Sequence, residues 1–422
     1  MNEFNTALLG VNPSSFLGNN PGGFGGGFSG AAGAQLGRYA KSHSTLDLQG
    51  NFPAPPVDRE TGEILLLHDS SSVRLGRYAL QSVSRKILGR DHRISACLRA
   101  RQRGREHIDV LHSPSSSSFF YSGLQTCANV WVCPICAAKI SERRRLELQI
   151  AIRRHEAKGG SVALLTLTHA HSRGDALAGL LEAEQKALKH LFGSRAGRVV
   201  LRALGVLGHI RAWEVTHGRL RQVDNGWHPH FHILLFLASH QPLEPFEDQL
   251  FSVWLRGCEL AKLPLPDRRH GLTLHDGTRA AAYVAKWGHE PTKPIWDLDS
   301  ELTKGHSKTA RDGETPFSLL RSCLDHEDPQ GVRLFREFSA SFRGKRQLVW
   351  SRGLRDLLGV DVLNDEEIAT RHDEDAEIFC RLTVEQWRAI RRADLRGELL
   401  EVARSGVDAL LSFVETLTLR YS

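Results

Sequence analysis

The chain has 422 residues, 41% of them hydrophobic, and Lys plus Arg outnumber Asp plus Glu by 55 to 48, for a formal charge of +7. That supplies a sizeable core and length for more than one domain, and the basic balance points mildly toward a polyanionic partner. No apolar stretch reaches the roughly 18 residues of a membrane span and no charged start with an apolar core marks a secretory leader, so we expect a cytoplasmic protein with reduced thiols and no membrane partner.

Residues 1–72 contain "NNPGGFGGGFSGAAGAQLG" and "NFPAPPVDRETGE". Gly, Pro, Ser and Asn leave too few periodic apolar positions to offset chain entropy, so a disordered leader is expected there. Between Arg74 and Arg105 the charge turns strongly basic, through Arg77, Arg85, Lys86, Arg90, Arg93, Arg99, Arg101 and Arg103. Such a run is either a solvated helical face or a set of phosphate contacts. "CANVWVCPIC" follows, with Cys127, Cys133 and Cys136 spaced C-x5-C-x2-C. A C-x2-C pair is a common half of a tetrahedral zinc site, and the seven cysteines, an odd number, argue against a closed disulfide framework. The fourth ligand must come from outside this segment; Cys97, His107 and His112 are candidates.

A helix is predicted from about Ala137 to Ala157, then a buried strand at "GGSVALLTLTHA" and a helix at "DALAGLLEAEQKALKHLFG". "GVLGHIRAWEVTHG" and "WHPHFHILLFLA" read as two strands joined by the polar loop "RLRQVDN". Next come a helix around Phe246–Leu260, a short strand at "GLTLH", and a helix "TRAAAYVAKWG" begun by Thr278 and stopped by Gly288. Residues 300–355 are helix-rich and basic, and the tail from Asp365 reads as amphipathic helices. This order predicts an α+β fold, one antiparallel sheet with helices packed on it.

On the second of the paired strands, His228, His230 and His232 occupy every second position and therefore one face. Imidazoles in that arrangement are natural ligands for a divalent metal. Pro229 removes a ladder donor, which suits the strand's start and makes His228 the weakest of the three as a ligand. On the preceding strand Glu214 faces His230 or His232 if the hairpin register is even, and faces away if it slips by one residue. Two imidazoles and a carboxylate leave positions open for phosphate oxygens, as a Lewis acid for phosphodiester chemistry requires. The nucleophile must then be sought elsewhere. Of five tyrosines only Tyr283 sits on a well-defined predicted helix beside cations, with Lys286 at i+3 and Arg279 at i−4. A nearby ammonium favours the phenolate.

The blocks "LLTLTHAH", "AWEVTHG", "WHPHFHILLF" and "AAYVAKWG", in this order, resemble the successive motifs of plasmid rolling-circle replication initiators (Rep) of the HUH endonuclease superfamily, named for His-hydrophobe-His. The likeness extends upstream to the cysteine segment and downstream to "ETPFSLL" and "FREFSASFRGKRQLVWSRGLR", roughly residues 90–358. It implies a small zinc-binding module at 73–145 and an HUH nuclease domain at 146–358 with a central antiparallel sheet flanked by helices; the amphipathic pattern beyond it predicts a C-terminal helical region at 359–422. The likeness also implies His230 and His232 as ligands of Mg²⁺ or Mn²⁺, with Glu214 a further one. His228 is a ligand, a donor behind the ligands or a phosphate contact. Tyr283 would be the nucleophile, assisted by Lys286, and Cys97 the fourth zinc ligand in preference to His107 or His112. DNA contacts would fall to Arg99, Arg101, Arg103 and Arg279. Some relatives carry a water-activating glutamate one turn before the tyrosine, where this chain has Arg279; either Asp276 or Glu290 substitutes for it, or termination follows another route.

The implied activity is metal-dependent nicking and rejoining of single-stranded or cruciform origin DNA, with a host helicase and polymerase as partners and homodimers at the origin. Two other readings remain. A single-tyrosine transposase or relaxase would use the same site, although relaxases usually place the tyrosine before the histidines. A zinc DNA-binding regulator would bind without cutting.

Overall fold

The computed structural model describes residues 70–277 and 313–421, apart from 222 and 362. The elements are α1 (Ser70–Leu88), β1 (Ile108–Ser113), β2 (Ser118–Ser122), α2 (Pro134–Glu156), β3 (Ser161–Leu167), α3 (Leu177–Gly193), α4 (Arg195–Ala203), β4 (Val206–His217) and β5 (Trp227–Leu237). They continue as α5 (Glu244–Ala261), β6 (Leu272–His275), α6 (Pro316–His326), α7 (Pro329–Ser341), β7 (Leu348–Trp350), α8 (Leu354–Leu358) and α9 (Asp365–Thr370). The chain then forms β8 (Glu377–Leu382), α10 (Val384–Ala393), α11 (Arg396–Val402) and α12 (Val407–Tyr421). The fold is α+β, as expected, and both sheets among the described residues are antiparallel.

The larger sheet has strand order β6-β3-β5-β4-β7. Its central strand, β5, is buried on both faces, which is why "WHPHFHILLFL" ends in an unbroken apolar run rather than alternating. Trp227, Phe231, Ile233 and Leu235 point to a core shared with Leu181 and Leu188 of α3, Trp254 of α5 and Phe335 and Phe338 of α7. Leu234 and Phe236 point the other way, against Leu148, Ala151 and Ile152 of α2. Pro229 falls where this architecture tolerates it. The pairing of β3 with β5 ends at Phe231, so no β3 carbonyl waits for the missing Pro229 N–H.

Helix starts follow local chemistry. Thr315, Asp328, Asn364 and Thr383 each cap a helix with a side-chain oxygen. Ser194 closes α3 and caps α4 by accepting from Gly197 N, and at Gly197 a Cβ would lie 1.8 Å from Leu191 O, so only glycine allows this sharp break between the helices.

The smaller sheet, β2-β1-β8, joins a strand of the 359–422 tail to strands of the 73–145 segment. The tail contributes a strand as well as helices, and Val110 of β1 pairs with Cys380 of β8. Tyr78, Ile108, Val110, Tyr121, Trp387, Ile390 and Leu410 share one core. Arg396, fully buried, fastens the two segments by donating to Gln81 Oε1 at 2.8 Å and Leu98 O at 3.1 Å. Among the described residues, no helix is long and apolar enough to cross a membrane.

Candidate metal centres

The β4–β5 hairpin has the even register. Ala212 lies opposite His232, Glu214 opposite His230 and Thr216 opposite His228. Glu214 therefore shares a face with the histidines, and its Oε2 lies 2.9 Å from His232 Nε2 and 3.6 Å from His230 Nε2. The two Nε2 atoms are 3.1 Å apart. All three side chains are largely but not wholly shielded, with 22%, 11% and 15% exposure for Glu214, His230 and His232. Burial on its own would raise the Glu214 carboxyl, but the two adjacent imidazoles outweigh it and hold the group well below the ordinary carboxylate range. Burial opposes the charged form of His230 as well, yet Glu214 raises it above its usual value, while burial wins at His232 and lowers it.

The atoms behind the imidazoles orient them. His230 Nδ1 faces the carbonyl of His228 at 3.5 Å, which can only accept, and His232 Nδ1 meets Thr166 Oγ1 at 3.1 Å. Placing the protons on Nδ1 leaves both Nε2 lone pairs directed at the Glu214 side, the arrangement in which outer contacts fix metal-ligating histidines. His228 is handled differently. His171 donates from Nδ1 to Asn225 O at 2.8 Å, so its Nε2 is an acceptor and His228 Nδ1 must donate to it. Burial lowers His228 to about 2, keeping it neutral. The ligand atoms of Glu214, His230 and His232 lie within 4.8 Å of one another, and His228 is not part of that group.

Asp276 lies away from the triad. Because β6 runs antiparallel to β3, with His275 opposite Leu164, the chain leaves β6 away from the triad. Asp276 is exposed and lines a cavity with Ser161, Val162 and Leu237, at the other end of the sheet. Its place level with Ala163 and Leu235 puts it three residues along β5 from His232, about 10 Å, and two strands across, again about 10 Å. Tyr283, Lys286, Arg279 and Glu290 lie outside the described residues.

The second cluster is sulfur. Cys97 Sγ is 3.7 Å from Cys133 and 3.5 Å from Cys136, and Cys127 is 3.7 Å from Cys136. All four are buried, free thiols. A tetrahedral zinc with Zn–S of about 2.3 Å needs S···S separations of about 3.8 Å, so the donor set fits that ion. Cys133 caps α2 immediately before Pro134 and accepts from Gln81 Nε2 at 3.3 Å. Burial opposes its ionisation, but the surrounding thiols hold it well below the usual thiol value. His112 instead stacks on Phe119 at 4.5 Å, and His107 is exposed. A cavity of about 560 Å³ lies beside this cluster, lined by Tyr78, Phe120, Lys139 and His372, and does not touch the triad.

Of the arginines expected to meet DNA, Arg99 is engaged by Asp394 Oδ1 at 2.5 Å and Arg391 O at 2.9 Å. Arg101 and Arg103 are exposed. Sequence reasoning missed Thr166, His171 and the buried His169–Glu184 pair, whose atoms are 3.2 Å apart. "LLTLTHAH" carried the signal, since Thr166 precedes two histidines at the mouth of the sheet.

Residues 121–242, which span Cys127, Cys133, Cys136, Glu214, His230 and His232, match the family described as Replication protein, Rep_1. This stretch is therefore similar to a Rep replication-protein domain. The chain is 27% identical over 355 residues to the "Protein rep" of Streptomyces lividans, covering 67% of this chain and 75% of that one. A "Protein rep" of Bacillus amyloliquefaciens is 26% identical over 170 residues, with 39% and 47% covered. A "Neomycin resistance protein" of Streptomyces cyanogenus is 29% identical over 141 residues, with 28% and 31% covered. No solved structure matches this chain. The expected resemblance to rolling-circle initiators thus holds at the level of family.

Proposed function

We propose that this chain initiates rolling-circle replication by nicking one strand of origin DNA and later rejoining it, and that its larger sheet is the core of an HUH nuclease. The observation that carries this reading is the convergence of Glu214 Oε2 with two imidazole Nε2 atoms at 2.9 and 3.6 Å, at the open end of the sheet and inside the family-matched segment. Glu214, His230 and His232 would hold a divalent ion, with Thr166 and the His228 carbonyl keeping the rings turned toward it. Two imidazoles are poor ligands for Mg²⁺, so the donor set favours Mn²⁺. When bound, such an ion polarises a phosphate oxygen and steadies the charge that develops on it.

The residue roles beyond the triad rest on the resemblance. Tyr283 Oη would attack the scissile phosphorus, forming the tyrosyl ester while the P–O3′ bond breaks and the 3′ oxygen takes a proton. Lys286 would favour the phenolate. One ester replaces another, so the bond energy is kept for rejoining, and the free 3′ hydroxyl primes a host polymerase. Cys97, Cys127, Cys133 and Cys136 would hold Zn²⁺ and stiffen the basic module that presents Arg101 and Arg103 to DNA.

The test is incubation with single-stranded origin DNA and Mn²⁺, followed by a denaturing gel. A covalent adduct that disappears in Tyr283→Phe is expected. Nicking that survives Tyr283→Phe overturns the tyrosine assignment, and binding with no cleavage at all turns the reading toward a zinc DNA-binding regulator.

A further inference from the structure

Residues 185–213 contain six Lys or Arg and no Asp or Glu, in a chain whose total formal charge is only +7. The short helix α4 concentrates this charge. At 3.6 residues per turn, Arg195, Arg198 and Arg202 fall within about 60° of one another on its outward face. All three are exposed, and Val199 beside them is 58% exposed. The opposite face buries Gly197, Val200 and Leu201. Among the described residues none of the three guanidiniums has an acceptor, whereas neighbouring Lys186 is paired with Glu182 at 2.8 Å. Unpaired arginines in a row, with the carboxylates absent from the whole surrounding segment, differ from an ordinary solvated face, where charges of both signs alternate.

The row is rigid and of useful length. Ser194 caps α4, the close approach of Gly197 to Leu191 O locks it to α3, and it packs against the start of β4. Arg195 to Arg202 spans about 10 Å, the rise of about three successive phosphates on one strand. The outward face carries no aromatic ring on which an unpaired base could stack, so it suits a paired backbone rather than a single strand.

We propose that the outward face of α4 grips the phosphate backbone of double-stranded DNA, through Arg195, Arg198 and Arg202. The assignment of that duplex to the origin rests on the function proposed above, but the contact itself does not require cleavage.

The experiment measures binding of the full chain to a mixed-sequence DNA duplex of about 20 base pairs and to one of its strands alone, by fluorescence anisotropy across a salt series. Each phosphate that is no longer neutralised takes about 0.9 from the slope. Arg195→Gln/Arg198→Gln/Arg202→Gln should therefore make the log–log salt dependence on duplex shallower by about 2.7 and weaken binding by roughly 10- to 100-fold. The single strand should change by less than about 3-fold, and the triple Lys variant should retain duplex binding, since a phosphate contact of this kind needs only the charge. If the triple Gln variant does not fold, Arg198→Glu alone should still weaken duplex binding by about 10-fold. An unchanged salt slope, or equal losses on duplex and single strand, overturns the proposal. A wild-type chain that binds duplex through these arginines yet forms no tyrosyl adduct would sink the nicking reading and leave this one standing.

Discussion

Cys97→Ser tests the sulfur cluster most directly, because Cys97 is the member supplied from a distant stretch of chain. Its Sγ lies 3.5 and 3.7 Å from Cys136 and Cys133, where a tetrahedral zinc would place it, and a serine oxygen is a far weaker ligand. If the site weakens by about 1,000-fold, the stabilisation lost is about 4 kcal/mol, since metal bound only to the folded state contributes in proportion to the logarithm of its affinity. At roughly 2–4 °C per kcal/mol for a domain of this size, the melting temperature should fall by about 8–16 °C. Metal content by plasma mass spectrometry and thermal unfolding with and without a chelator are the assays. One zinc per wild-type chain, lost in Cys97→Ser, is expected, and the chelator should destabilise the wild type but not the variant. Cys258→Ser is the control. Cys258 is equally buried but lies outside the cluster, so its replacement should cost about 1–3 kcal/mol for an unsatisfied hydroxyl and leave the zinc in place. A wild type that carries no zinc and is indifferent to the chelator would refute the reasoning.

Glu214→Gln should lower Mn²⁺ affinity by at least about 10-fold in calorimetry, and Thr166→Val, which removes only the support behind His232, by about 10-fold; equal affinity in both variants would remove the triad as a metal site. Glu398 sets a pH dependence: burial, with the Asp394 charge adding to it, raises its carboxyl from 4.5 to about 7. The unfolded chain releases this proton earlier, so stability should fall between pH 4.5 and 7 and level off above, by about 3 kcal/mol. Glu398→Gln should match the wild type at the acid end of that window and melt higher at its alkaline end, and a difference independent of pH would contradict the assignment. Phe236→Ala, emptying a fully buried site against α2, should cost about 3–5 kcal/mol in denaturant titrations.

What could be read from the chain alone were features whose partners are local. The period-two histidines, the hairpin "HIRAWEVTH…WHPHFHILLF", the C-x5-C-x2-C spacing and most helices of the larger unit depend on residues within one or two turns or one strand pair, and backbone geometry decides them. The basic, carboxylate-free stretch around α4 was equally present in the sequence, but a nine-residue helix set off only by Ser194 and Gly197 gives too short a periodic signal to stand out.

Tertiary structure alone decided the rest, because each case turns on contacts between distant segments. The even register brought Glu214 opposite His230, where a slip of one residue would have turned it away. Cys97 reached the other thiols only through the packing of its segment beside α2. His171, across from His228, drew that imidazole out of the ligand group, and the antiparallel run of β6 carried Asp276 to the far end of the sheet. The strand β8, with only Cys380 and Leu382 buried, has almost no pattern of its own; it became a strand by pairing with β1, and so joined the two ends of the described chain into one core.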